Sequence, residues 1–203
     1  PCITLESRLN MKAKPTTRLI LASASERRRR LLTEAGVSFE SLSPDVEESD
    51  CSISARNTVV NNAVLKHQWA AARNPGCAII AADTAIEFNN LLIGKPANMD
   101  EAREQLRRFS GKTHAVLTGI ACTFAGSSLI KDLCESPVTF RELNEDMITS
   151  YFELVNPLDK AGAYDIGSHG DMIIEHHEGS LTNIIGLPME IMTPLLKEHG
   201  YLP

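Results

Sequence analysis

Apolar residues in this chain fall into short unbroken runs and short periodic stretches, the two signatures of buried strands and amphipathic helices. Arg18-Leu19-Ile20-Leu21-Ala22 reads as a buried strand, Ser25 as an N-cap, and Glu26 to Ala35 as a helix that Gly36 stops. Val37 to Leu42 predicts a second strand, which leads into an acidic loop with Asp45, Glu47 and Glu48. A helix is expected from about Ser54 to Arg73, and an apolar strand from Cys77 to Ala82 that ends at Asp83. Asn98 with Glu101 forms a capping box opening a helix to about Phe109, and Thr113 to Phe124 and Val138 to Leu143 read as β. Asn144 caps a helix that sets Met147, Ile148, Tyr151, Phe152 and Val155 on one face. A strand over Met172 to Glu175 follows, then a last helix from Met189 to His199 with Gly200 beyond it and Pro194 at its first turn or at a kink. Strands alternating with helices predict a mixed α/β protein.

Composition narrows the function classes. The chain has 203 residues, 43% of them hydrophobic, enough for one globular domain or two closely packed lobes. Domain limits are expected at 18–203, with 1–17 as an N-terminal extension, either an upstream segment or a cloning remnant. No apolar run approaches ~18 residues and the first residues lack the apolar core of a signal peptide, so the expectation is a cytoplasmic protein without membrane attachment. Five scattered cysteines (Cys2, Cys51, Cys77, Cys122, Cys134), none in a C-x-x-C pair, predict reduced thiols. A net charge of −6 argues against nucleic-acid binding, so a polyanionic ligand must meet a local basic site.

One such site is Ser23-Ala24-Ser25-Glu26-Arg27-Arg28, at a strand-to-helix junction where free N–H groups and the helix dipole favour an anion. The same residues also fit a plain N-cap followed by a solvated basic face, and of Arg27 to Arg30 at most two can reach one ligand. Asp83, with Thr84 beside it, stands at the expected strand end, the usual place for a catalytic carboxylate in an open α/β sheet. With Glu47 or Glu48 it could supply oxygen ligands to Mg²⁺, although the loop acids also suit simple surface charge. Lys66 on its helix and Lys95 in the Gly94-Lys95-Pro96 turn could neutralise phosphate or merely face solvent. Gly111-Lys112-Thr113 is not a P-loop, because Leu106 stands where that motif needs glycine. Neither a nucleophile elbow nor an H-E-x-x-H zinc motif is present, and adjacent His176 and His177 in a strand point to opposite faces.

In their order, Leu21-Ala22-Ser23-Ala24-Ser25-Glu26-Arg27-Arg28, Asp45-Val46-Glu47-Glu48, Ala82-Asp83-Thr84, Gly94-Lys95-Pro96, Ser110-Gly111-Lys112-Thr113-His114, Asp159-Lys160-Ala161-Gly162-Ala163-Tyr164 and Gly186-Leu187-Pro188 match one family. The chain resembles the Maf proteins, related in fold to ITPase-like nucleotide pyrophosphatases. That resemblance implies a mixed twisted sheet flanked by helices, two lobes around a central cleft, and a possible homodimer. It implies hydrolysis of a nucleoside triphosphate, dTTP or UTP, to the monophosphate and pyrophosphate with Mg²⁺ or Mn²⁺. Carried over by position, Ser23, Ser25, Arg27 and Arg28 bind phosphate, Asp83, Lys66 and Lys95 are catalytic, Glu48 and Asp83 hold the metal, and Thr84 marks the dTTP/UTP branch. Two positions depart from the family. Glu26 replaces a proline, and Tyr164-Asp165-Ile166-Gly167-Ser168 replaces Y-G-I-Q-G, so Gly167 stands where a base-reading glutamine is expected, with Ser168 and Asp165 as its polar neighbours. A 7-methyl-GTP or other modified-nucleotide pyrophosphatase is therefore one alternative, and a nucleotide-binding regulator of septum formation is another.

Overall fold

A computed structural model of the chain describes residues 17–49 and 54–203, so the expected extension, Thr17 apart, lies outside the described residues, as do Cys2 and Cys51. Among the described residues, seven strands form one mixed sheet: β1 (Leu19–Ala22), β2 (Glu40–Leu42), β3 (Ala78–Phe88), β4 (Leu91–Ile93), β5 (Thr113–Thr123), β6 (Ile130–Phe140) and β7 (Ile174–His177). Their order is β2-β1-β3-β5-β6-β7, with β4 added to β3. β1 runs parallel to β2 and β3, whereas the remaining pairs are antiparallel. Six α-helices of the described residues accompany them: α1 (Glu26–Glu34), α2 (Ala55–Arg73), α3 (Met99–Phe109), α4 (Glu145–Leu154), α5 (Leu181–Ile185) and α6 (Met189–Glu198). None is long and apolar enough to cross a membrane.

The helix starts follow from their caps: the side chains of Ser25, Ser54, Asn98 and Asn144 each accept from a backbone N–H three residues on. The strand limits differ more from expectation. β3 does not stop at Asp83 but continues five residues to Phe88, with Asp83 paired to Gly119 and Thr84 to Thr118 on β5. β6 begins at Ile130, eight residues before its expected start, because its exposed, mixed first half lacks an apolar pattern yet pairs with β5 throughout. β7 lies two residues further on than expected, β4 was not anticipated, and α5 is a single short turn capped by Ser180. Pro194 sits inside α6.

Alternation along β3 divides the core. Ile79 and Ala81 pack with Ala70 of α2, and further along the same face Ala85 packs with Val59. On the other face Ala78, Ile80 and Ala82 meet Leu31 and Leu32 of α1 and Met192 and Leu196 of α6, whereas Ile86 and Phe88 join a second cluster with α3 and α4. By the period of two, Asp83 therefore faces α2, and Thr84 lies at the junction of the two cores on the opposite face. α2 sits unusually close to the sheet at Gly119, where a Cβ would come within 2.5 Å of the Val59 backbone carbon and oxygen. Only glycine fits there.

Candidate active site

β1 reaches only Ala22, opposite Ala81, and β4 begins its pairing at Ile86. Because β5 follows the other edge of β3 from Ile79 to Glu87, β1 and β4 share one edge, with residues 82–85 of β3 in the gap between them. A cleft of about 950 Å³ opens at this gap, walled by the Ser23–Arg28 turn, Glu48, Asn62, Lys66, the 83–86 stretch of β3, Gly94-Lys95, and residues 159–161 and 164–166.

The Ser23–Arg28 turn is built locally. The Ser25 N–H donates to Ser23 Oγ (3.1 Å), and Ser25 Oγ accepts from the Arg28 N–H (3.5 Å), so the hydroxyls fix the first turn of α1. Of the four arginines only Arg27 and Arg28 line the cleft; Arg29 pairs with Glu26, and Arg30 with Glu34 at 3.6 Å. Glu26, the departure from proline, thus has its charge met by Arg29. Arg28 is buried, and among the described residues its three hydrogen-bond partners are all neutral: the Gly186 carbonyl (2.7 Å), Ser23 Oγ (3.1 Å) and Thr84 Oγ1 (2.9 Å). Burial lowers its affinity for its proton, with Asp83 opposing that effect and Arg27 adding to it. A desolvated guanidinium without an ion-paired carboxylate carries an excess positive charge at the cleft wall.

Thr84 explains part of that arrangement. Its hydroxyl contacts Thr118 Oγ1 (2.9 Å), which in turn lies 3.1 Å from the Asn183 carbonyl. The Thr84 hydroxyl also reaches the Gly186 carbonyl (3.4 Å), so Arg28, Thr84, Thr118, Asn183 and Gly186 form one hydrogen-bonded network. Thr84 therefore holds Arg28.

On the opposite side, α2 places Val59, Asn62 and Lys66 on one helical face by spacings of three and four. Lys66 Nζ, nearly buried, lies 2.7 Å from Asp83 Oδ1 and 3.0 Å from Glu48 Oε1. Asn62 was not singled out by the sequence, although it fastens the site. Its Nδ2 donates to Asp83 Oδ2 and to the Ser49 carbonyl, both at 3.0 Å, while its Oδ1 accepts from the Ser49 N–H at 2.9 Å. Its spacing from Lys66 on a helix was the available signal. Glu47 is exposed and does not line the cleft.

Asp83 and Glu48 converge on one cationic nitrogen, and among the described residues no group of three or more His, Cys, Asp or Glu could hold a metal. Two carboxylates fit Mg²⁺ or Mn²⁺, which take their remaining ligands from water and phosphate, and do not fit a closed zinc site. His176 and His177 are both exposed on β7.

Beyond Lys95, which is exposed at the rim, the far wall is largely apolar: Ile86, Leu92, Val116, Ile166 and Ile184, with Tyr164. The Tyr164 hydroxyl bonds His114 Nε2 (2.9 Å), and burial raises the Tyr164 pKa far above that of a free phenol. Asp165 Oδ2 meets Arg27 across the cleft at 3.5 Å and its Oδ1 accepts from the Gly167 N–H at 3.0 Å. The lining ends at Ile166, so Gly167, at the expected base-reading position, and its neighbour Ser168 lie just past it, and Asp165 is the polar side chain of that turn that enters the cleft.

Residues 18–199 match the family model of Maf-like proteins. A dTTP/UTP pyrophosphatase of Akkermansia muciniphila is 40% identical over 185 residues, covering 90% of this chain and 97% of the relative. One from Bacillus anthracis is 38% identical over 184 residues, covering 90% and 96%. Among solved structures, a HAM1 protein from Coxiella burnetii is similar in fold, with a TM-score of 0.56 at 16% identity over 90% of this chain and 99% of the other. The Ham1 protein of Staphylococcus aureus gives 0.51 at 14% identity with the same coverage.

Proposed function

The chain belongs to the Maf family, and from that premise we propose that its cleft hydrolyses dTTP or UTP to the nucleoside monophosphate and pyrophosphate. The observation that carries this reading is the buried, unpaired charge of Arg28 facing a Lys66–Asp83–Glu48 cluster across one cleft. A polyphosphate supplies the anion that Arg28 lacks. The two relatives whose names state that activity align along 90% of this chain.

Ser23, Ser25, Arg27 and Arg28 grip the phosphate tail at the start of α1. Asp83, steadied through Oδ2 by Asn62, accepts a proton from the water that attacks the α-phosphorus. The bond from that phosphorus to the bridging oxygen breaks, and pyrophosphate leaves with the electron pair. Lys66, Lys95 and Arg27 offset the charge that gathers on it, a form of stabilisation that is often the largest catalytic contribution. Glu48 and Asp83 would hold a divalent cation, Mg²⁺ or Mn²⁺, which when bound supplies Lewis acidity toward the phosphate oxygens. The apolar wall from Ile86 to Ile184 receives the base, with Asp165, Gly167 and Ser168 at the turn that selects it.

A second reading, a modified nucleotide such as 7-methyl-GTP or a methylated pyrimidine triphosphate, is favoured by Gly167 in place of glutamine and by the carboxylate of Asp165 in the cleft. A panel of canonical and modified triphosphates, read by pyrophosphate release with and without chelator, separates the two. Chelator-sensitive release from dTTP and UTP is the expected result; no pyrophosphate from any triphosphate would overturn the proposal.

A further inference from the structure

Both oxygens of Asp83 are occupied, but by partners of unlike freedom. Asn62 is clamped to the Ser49 backbone through both ends of its amide, so its hold on Oδ2 is fixed. Lys66 approaches Oδ1 at the end of a four-carbon stem, and among the described residues its ion-pair partners are Asp83 and Glu48. Its ammonium fills the point where the two carboxylates meet. A divalent cation seated on the same oxygens would stand within a few ångströms of that ammonium, and like charges that close repel strongly in a partly desolvated site.

We propose that Lys66 is an exchangeable counter-cation: in the free protein it holds the seat between Glu48 and Asp83, and it yields that seat to a divalent cation when nucleotide phosphates offer it a new anionic partner. The inference rests on the proposed cation binding by Glu48 and Asp83. Its consequence is coupling. Nucleotide strengthens cation binding, and cation strengthens nucleotide binding by the same factor, with Lys66 adding to the coupling that direct phosphate ligation supplies. The vacated ammonium then arrives on the phosphates as the cation arrives on the carboxylates, so the free protein avoids an uncompensated pair of acids beside a hydrophobic sheet.

Mn²⁺ binding followed by electron paramagnetic resonance tests the exchange without turnover, using a dTTP analogue with a methylene bridge between the α- and β-phosphorus. For Lys66→Met, Mn²⁺ alone is expected to bind roughly tenfold or more tightly than to the wild-type protein. The analogue then tightens Mn²⁺ more in the wild type than in the variant, where only direct ligation of the cation by phosphate remains. Equal Mn²⁺ affinity in the two proteins, or equal tightening by the analogue, would overturn the exchange. The double variant Glu48→Gln/Asp83→Asn separates the two levels: if it retains Mn²⁺ binding, the carboxylate site itself is wrong, whereas if it loses binding while Lys66→Met matches wild type, only the exchange fails. Should Lys66→Met not fold, Lys66→Gln takes its place, and the ¹⁵N resonance of the Lys66 ammonium in wild-type protein must shift on adding Mg²⁺ with the analogue. An unmoved resonance refutes the exchange.

Discussion

Replacing Gly119 by alanine tests how the fold delivers the groups proposed to be catalytic. The new Cβ would lie 2.5 Å from the Val59 carbonyl carbon and oxygen and 2.6 Å from the Val60 nitrogen. Carbon contacts relax at about 3.5–4.0 Å, so α2 must retreat by roughly 1 Å. Overpacking of this kind costs about 3 kcal/mol, which lowers Tm by about 6–12 °C in a chain of this size. The same retreat carries Asn62 and Lys66, one and two turns along the helix, away from Asp83, whose bonds to them are 3.0 and 2.7 Å. An added ~1 Å breaks hydrogen-bond geometry and typically costs about 10²-fold in rate. Differential scanning calorimetry and pyrophosphate release measure both effects. Because the collision is with backbone, trimming Val59 to alanine should not rescue either. A Gly119→Ala protein with wild-type Tm and wild-type kcat would refute the claim that this close seat positions the site.

Arg28→Met should lower kcat/KM for dTTP by about 10²-fold or more, yet leave Tm within a few degrees, because removing an unpaired buried charge offsets the three lost hydrogen bonds. A Tm drop beyond ten degrees with preserved activity would make Arg28 a structural fastener instead. His114, pushed down to about 3 by burial, stays neutral in the folded protein while the unfolded chain takes up a proton near the ordinary value of 6.5. Its contribution to stability is therefore complete above pH 6.5 and is lost as pH falls from there toward 3. Urea melts between pH 6 and 4 should lose about 1.4 kcal/mol per pH unit more in wild type than in His114→Phe, and parallel slopes would contradict this. Asp165→Asn should weaken the hold on Arg27 and shift relative kcat/KM across a panel of triphosphate bases; an unchanged panel would remove Asp165 from base selection.

Much of the fold was legible because burial leaves a periodic trace: β1, α2, α3, β5 and α6 all lie within a few residues of their expected limits. The end of β3 was not. Ala82-Asp83-Thr84-Ala85 looks like a strand running out, since two adjacent polar residues interrupt the apolar run. The interruption is real but both polar side chains are satisfied inside the protein, Asp83 by α2 and Thr84 by Arg28 and Thr118, so the strand continues. β4 and the first half of β6 carried too little apolar contrast to be seen, being held by backbone pairing to better-patterned neighbours.

The site was legible in its charges and less so in its geometry. Arg27, Arg28, Glu48, Lys66, Asp83 and Lys95 do meet in one cleft. Asn62, Thr118 and the Gly186 carbonyl were missed because their roles come from contacts more than twenty residues away along the chain. Thr84, expected to mark the dTTP/UTP branch, lines the cleft with its hydroxyl bonded to Arg28 and Thr118.

The most direct test of the cleft as a catalytic centre is pyrophosphate release from dTTP by Asp83→Asn, measured with Mg²⁺ present and with folding checked by circular dichroism. A folded variant slowed by about 10²–10⁴-fold is the expected result. Turnover near that of the wild-type protein would contradict it.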